Sequence, residues 1–348
     1  MALALALHKQ GIASEIYDAR PRRAASADRR ILALSHGSRL TLEWLGVWHD
    51  IPHTAIENIH VSHQGGLGRT QLSAREEKVP ALGYVLAAGD LARSLDAAAH
   101  RAGIAFRAET HIAEKPQAPL VVWAEGAVDS AQAISRDYDQ HAVICTATAT
   151  EPHRNSAWER FTPQGPVAVL PHGGAAGNGL AVVLTCATEE AGAVAALDDG
   201  AFLALLQARF GRRIRFTAAS PRTVFPLGLR FRERIVGERE VWIGNAAQTL
   251  HPVGGQGFNL ALRDIYELAR CLADQPDPGA PEVLAHYAAA RRLDRRATIG
   301  FTDALVRVFS NDNPLLHHAR GAGLLALDLF PAARSFLARR MMFGARGW

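Results

Sequence analysis

Cysteine is scarce in this 348-residue chain. There are three, Cys145, Cys186 and Cys271, an odd number with no metal-binding or redox spacing. That excludes a disulfide framework and a cysteine zinc site, and it leads us to expect reduced, buried thiols in the cytoplasm. Long apolar runs are also missing, so no segment is expected to cross a bilayer. The opening Ala/Leu run is short, with no charged leader and no convincing cleavage site, and no secretory signal is expected. The formal charge of +4 is carried by arginines scattered among acids. A nucleic-acid binder concentrates such charge in a stripe with interleaved aromatics, so nucleic acid is not an expected partner. Internal repeats and low-complexity segments are absent apart from general alanine richness. What remains is a chain with 48% hydrophobic residues, enough for a large core in one or two domains.

The most informative stretch runs from Val241 to Asn259. It reads as a strand ending on Gly244, a turn, and a helix beginning near Phe258 and Asn259. Gly254, Gly255 and Gly257 carry no side chains, so the backbone there can approach a flat or phosphorylated ligand and present its N–H groups. The helix would aim its unpaired N–H groups and positive dipole end at the same place. Leu260, Ile265, Leu268 and Leu272 recur at roughly helical spacing, which gives that helix one apolar face for the core. On spacing alone a tight loop is an equally good reading.

Elsewhere the pattern is mixed. Ala2 to Lys9 reads as a helix closed by Gly11, and Ala13 to Pro21 as a strand ending in the acidic Asp18. A helix through Arg39, Leu42 and Leu45 closes at Gly46. The strand at Tyr84-Val85-Leu86 and the helix from Asp90 to Arg101 are expected to return to the same layer as the first strands, with Leu120 to Ala124 as another buried strand. Between Asp137 and Leu184 the pattern becomes antiparallel strands and turns, interrupted by a helix from Gly200 to Gly211 and resumed at Ser220 to Phe225. Near the C-terminus, Gly323 to Pro331 followed by Arg334, Phe336, Leu337, Arg339, Arg340, Phe343 and Arg346 mixes apolar and cationic residues at near-helical spacing. A helix with a solvated basic face and a surface that sits on anionic lipid both fit.

Gly244-Asn245-Ala246-Ala247-Gln248, Pro252 and Gly255-Gln256-Gly257-Phe258-Asn259 together resemble the second flavin-binding motif of the FAD-dependent aromatic hydroxylases. The phrases Asn245 to Pro252, Asn259 to Asp264, Trp158-Glu159-Arg160-Phe161-Thr162-Pro163 and Gly165 to Pro171 look like the ubiquinone-biosynthesis members, and among them the 2-octaprenyl-6-methoxyphenol hydroxylase branch. The resemblance covers nearly the whole chain.

It implies an α/β fold in which a Rossmann-like FAD-binding domain (1–48, 81–126 and 238–275) is interleaved with a mainly antiparallel substrate domain (49–80 and 127–237), with C-terminal helices over 276–348. FAD is the implied cofactor, NAD(P)H the transient reductant, and no metal is implied. Asp18 would contact the ribose, where the family more often has Glu, and Arg30 the phosphate and ribitol region. Gly244, Asn245, Pro252, Gly255, Gln256, Gly257, Phe258 and Asn259 would hold the rest, with Asn245 replacing the common Asp. Pro252, Val253 and Gly254 would line the flavin's reactive edge. His251 could deprotonate a phenol or be hydrogen-bonded under the loop. Glu125-Gly126 stands where an Asp-Gly motif usually lies, with the following Ser and Arg displaced. The implied reaction is ring hydroxylation of a polyprenyl phenol by O2 through a flavin C4a-hydroperoxide, at the inner face of the membrane and beside other ubiquinone-biosynthesis proteins. The family also carries a first strand and a Gly-x-Gly-x-x-Gly turn, which this sequence does not contain. A misassigned start or a real truncation would account for this; if the truncation is real, the parallel sheet is expected without its central strand, and a non-catalytic partner role without FAD is the alternative.

Overall fold

The computed structural model describes residues 1–66, 68–126, 128, 130–174, 176–309 and 314–345; Arg346 lies outside them. Helix α1 (Ala2–Lys9) forms because its Ala/Leu run has no β-branched residue, and Gly11, at φ 72°, turns the chain after it. Strands β1 (Glu15–Tyr17) and β2 (Ile31–Ser35) follow, and Ser35 caps α2 (His36–Trp44) by accepting the Ser38 N–H. Next come β3 (Thr54–Ile56), β4 (Asn58–His63), β5 (Arg69–Ser73) and the single turn α3 (Ala74–Glu77). Strand β6 (Gly83–Ala87) leads into α4 (Ala88–Arg101), which buries Leu91, Leu95 and Ala98 at helical spacing. Two short strands, β7 (Ala105–Arg107) and β8 (Val121–Trp123), close this half.

The next stretch holds β9 (Ala133–Ala149), β10 (Ser156–Thr162), β11 (Gly165–Pro171) and β12 (Gly179–Ala187). Helices α5 (Thr188–Ala196) and α6 (Asp199–Phe210) precede β13 (Phe216–Ala219) and β14 (Thr223–Arg232). These strands form one sheet in the order β14-β9-β12-β11-β10-β4-β5, with β13 also on β9. Its pairs are antiparallel except β4 with β10. Alternation gives the sheet two unlike faces. Val143, Cys145, Val167, Val169, Val182 and Leu184 are buried with Phe202, Leu206 and Phe210 of α6, each contributing about 1.5–3 kcal/mol. The opposite face presents the register row Val61, Glu159, Ala168, Val183 and Ile144, all half-buried.

The last third comprises β15 (Val236–Gly237), β16 (Glu240–Trp242), β17 (Gln248–Thr249), α7 (Gln256–Leu272), α8 (Pro281–Phe309), α9 (Pro314–Leu329) and α10 (Pro331–Phe343). Strand β17 joins the large sheet at the edge of β14. The parallel pairs β1–β7 and β8–β16 belong to separate sheets, whose strand ends are joined by the ion pair of Arg20 with Glu125. Strand β6 does not return to their layer as expected. It pairs antiparallel with β2 and β3, where Gly83 lets the chains close up: a Cβ there would stand 2.5 Å from the Leu34 carbonyl oxygen. The C-terminal segment is also not one helix. Pro331, which cannot donate to the preceding turn, starts a second helix after a bend of 98°.

Candidate functional site

The strand before the glycine turn stops at Trp242, because Gly244 adopts φ 55° and opens a 3-10 turn. Helix α7 starts at Gln256, two residues earlier than the glycine spacing suggests. Between them the loop leaves Asn245, Pro252 and Phe258 exposed and Gly254, Gly255 and Gly257 half-exposed. Gly254 and Gly255 have φ 69° and 62°, a region that side chains disfavour. A Cβ on Gly254 would reach 3.0 Å from Met341 Cε of α10, and one on Gly255 3.4 Å from Ala33 Cβ of β2. Around Gly257 there is open space. No side chain caps α7, so its positive end faces outward at the glycines.

Buried polar groups hold this loop in place. Asn259 Oδ1 accepts the Ser35 N–H at 2.8 Å and the Ser38 hydroxyl at 2.6 Å, while its Nδ2 donates to the carbonyls of Ala33 (3.2 Å) and Gly255 (2.6 Å). The asparagine thus ties the start of α7 to β2. Gln248 Nε2 donates to Asp264 at 2.6 Å, and Arg295 Nε donates to Gln248 Oε1 at 2.8 Å. Arg291 pairs with the same Asp264 at 2.7 Å, a buried pair whose disruption from one side costs about 3–5 kcal/mol. His251 is fully buried, and its Nδ1 accepts the Val253 N–H at 3.1 Å. Burial lowers its pKa to about 4, so it stays neutral at physiological pH and braces the loop from below.

The other residues singled out in the sequence lie on two separate strand ends. Asp18, just past β1, accepts the Arg20 N–H at 2.9 Å and Arg20 Nε at 3.2 Å. Arg30, just before β2, pairs with Asp28 at 2.6 Å and remains half exposed. Glu125 is engaged by Arg20. Sequence reasoning missed two features. One is the bracing role of Asn259 and Gln248, which have no signature apart from their partners. The other is Glu159, a carboxylate in a strand whose neighbours on its face are apolar.

The cradle fits the FAD of the resembled family at its second motif. The glycines clear the approach, an uncapped helix end faces it, and the Gly257 flank is open. Across this loop stands the half-open face of the large sheet: Phe161 clusters with Val253, while Ala157, four residues back, clusters with Ile31 and Val85.

Comparison with known proteins agrees with this geometry. Residues 130–302 match the FAD binding domain family. The chain is 39% identical to the ubiquinone hydroxylase UbiL of Rhodospirillum rubrum, over 59% of this chain and 48% of that protein. It is 26% identical to the 3-demethoxyubiquinol 3-hydroxylase of Escherichia coli, over 94% of this chain and 91% of that one. The match thus spans about half the length of the first relative and nine tenths of the second. In fold the chain resembles PqsL of Pseudomonas aeruginosa, a probable FAD-dependent monooxygenase, with a TM-score of 0.73 at 20% identity over 93% of this chain and 96% of that one. The chain is thus similar, through residues 130–302 and these relatives, to FAD-dependent hydroxylases that include enzymes of ubiquinone biosynthesis.

Proposed function

We propose that this chain hydroxylates the aromatic ring of a polyprenyl phenol in ubiquinone biosynthesis, consuming O2, with NAD(P)H as the transient reductant. The observation that carries the reading is the opposition of two surfaces. The glycine cradle at Gly254–Gly257 faces an apolar, half-open sheet face, so a ring lying on that face would meet a cofactor held by the cradle. FAD, when bound and reduced, supplies the activated oxygen. The protein's part is to hold the ring against the cofactor and keep water out. Val61, Ala168, Val183 and Ile144 offer an apolar bed for the ring, and Pro252, Val253 and Gly254 the opposing edge. Asp18 and Arg30 are assigned to the ribose and phosphate ends of the cofactor. The division into a cofactor domain (1–48, 81–126, 238–275) and a substrate domain (49–80, 127–237) accompanies this assignment.

A lipid-borne substrate also requires access to a bilayer, and the elbow between α9 and α10 supports peripheral contact at the membrane. Leu325, Leu329, Phe330 and Phe336 are exposed there, Leu329 to 66%. No single described helix is long and apolar enough to cross a membrane.

The test is an FAD titration followed by flavin absorbance and fluorescence, comparing the natural chain with Gly255→Val. A β-branched side chain is strained at this φ and meets Ala33, which costs about 1–3 kcal/mol and should weaken FAD at least tenfold. Equal affinity in the two proteins, or no binding by the natural chain, would remove the cradle from the account.

A further inference from the structure

Glu159 stands out on the half-open face. It lies on β10 opposite Ala168 and Val61, with apolar neighbours in both directions along the register row. Its carboxyl has no hydrogen bond or ion-pair partner among the described residues. Arg160, the next residue, points to the other face, where its Nε donates to the Arg209 carbonyl of α6. Two residues to one side of Glu159, Phe161 stacks on Phe309 at 3.9 Å and clusters with Val253 of the loop. Two residues to the other side, Ala157 clusters with Ile31 and Val85. The carboxyl is therefore placed between these two apolar contacts, in a row of half-buried residues.

From this geometry we infer that Glu159 is the group that receives the substrate's ring hydroxyl, accepting its hydrogen bond and then its proton. In that step the hydroxyl O–H bond breaks, the proton joins a Glu159 oxygen, and the freed electron pair stays on the ring oxygen, enriching the ring toward an electrophilic oxygen. The inference rests on the phenol hydroxylase reading above. Burial raises the Glu159 pKa to about 7, which matches a group that exchanges a proton near neutral pH. The other ionisable side chain that β4, β5, β10, β11 and β12 place on this face is the buried His63. At the Phe161 end stand Tyr138, hydrogen-bonded to Asp303 at 2.7 Å, and the neutral His251. Asp303 is also paired with Arg136 and Arg307. Helix α9, packed on β4 and β5, contributes the buried Arg320.

The test uses 4-nitrophenol, whose phenolate absorbs in the visible, titrated into the FAD-loaded chain and read as difference spectra across neutral pH. Glu159 and the bound phenol share one proton, so part of the nitrophenol should already be phenolate below its free value, and the second proton of the pair should leave about one pH unit or more above it, an upward shift of the last step. In Glu159→Gln, which can donate to the phenolate, that upward shift should vanish while nitrophenol still binds, and Glu159→Asp should retain part of it. Equal ionisation in the natural chain and Glu159→Gln, with binding intact, would overturn the role of Glu159 and leave the phenol pocket standing. Failure of the natural chain to bind nitrophenol at all would overturn both.

Discussion

At the scale of single residues, the buried His251 and the half-buried Glu159 give the molecule opposite pH responses. His251 has its pKa lowered by burial to about 4. Its contribution to stability is present above the unfolded value near 6.5 and is lost as pH falls toward the folded value. Glu159 is raised by burial to about 7; its contribution is full below the unfolded value near 4.5 and is lost as pH rises through 7. Glu159→Gln removes only the second response. Denaturant unfolding at pH 5 and pH 8 should show the variant gaining about 2–3 kcal/mol over the natural chain at the higher pH relative to the lower, and parallel curves at both would refute the raised carboxylate. The two residues also differ in how legible they were. The glycines at 254, 255 and 257 announced a loop that approaches a ligand, since an unusual backbone needs an unusual residue. Glu159 could be seen in the sequence, but its face could not be assigned until α6 was known to cover the other side of the sheet.

At the scale of elements, the helices were the easiest to read. The run Ala2 to Lys9 carries its helix-forming residues openly, and the Leu260, Leu268 and Leu272 stripe of α7 carries its periodicity and buries the expected face. The short strands were harder. Neither β17 nor β3 has enough residues to show alternation, and the pairing of β6 with β2 depends on a close approach at Gly83 that no local pattern announces. The elbow at Phe330–Pro331 turns at the proline, and its angle follows from how α9 packs on β5 and α10 on α2. This elbow carries its own prediction. Arg334 is mostly covered, paired with Glu76 at 3.1 Å and donating to the Asp328 carbonyl at 2.8 Å, so it fixes the elbow, while Arg340 lies over the exposed Phe336 at 5.3 Å and puts a cation beside an apolar side chain. Leu329→Asp/Phe330→Asp should reduce cosedimentation with phosphatidylserine vesicles at least tenfold, since each apolar side chain is worth about 1.5–3 kcal/mol when buried. FAD affinity should not change. Unaltered cosedimentation would assign the elbow to another role.

At the scale of the whole molecule, one chain joins a glycine cradle, an apolar sheet face and an elbow for which we propose membrane contact. The cradle was legible as local sequence, and the family likeness tied it to flavin, whereas the C-terminal segment read as one helix and its elbow emerged only in the structure. The opposition of cradle and sheet was not legible, because it arises from packing between residues distant in the chain, such as Phe161 with Val253 and Phe309 in one cluster. The most direct measurement of the central claim is mass spectrometry of a prenylated phenol incubated with the FAD-loaded chain and NADPH under isotopically heavy dioxygen. The account predicts a ring-hydroxylated product carrying one heavy oxygen atom from the gas. A hydroxylated product whose oxygen comes from water, or recovery of the phenol unchanged from an FAD-loaded and reduced chain, would contradict it.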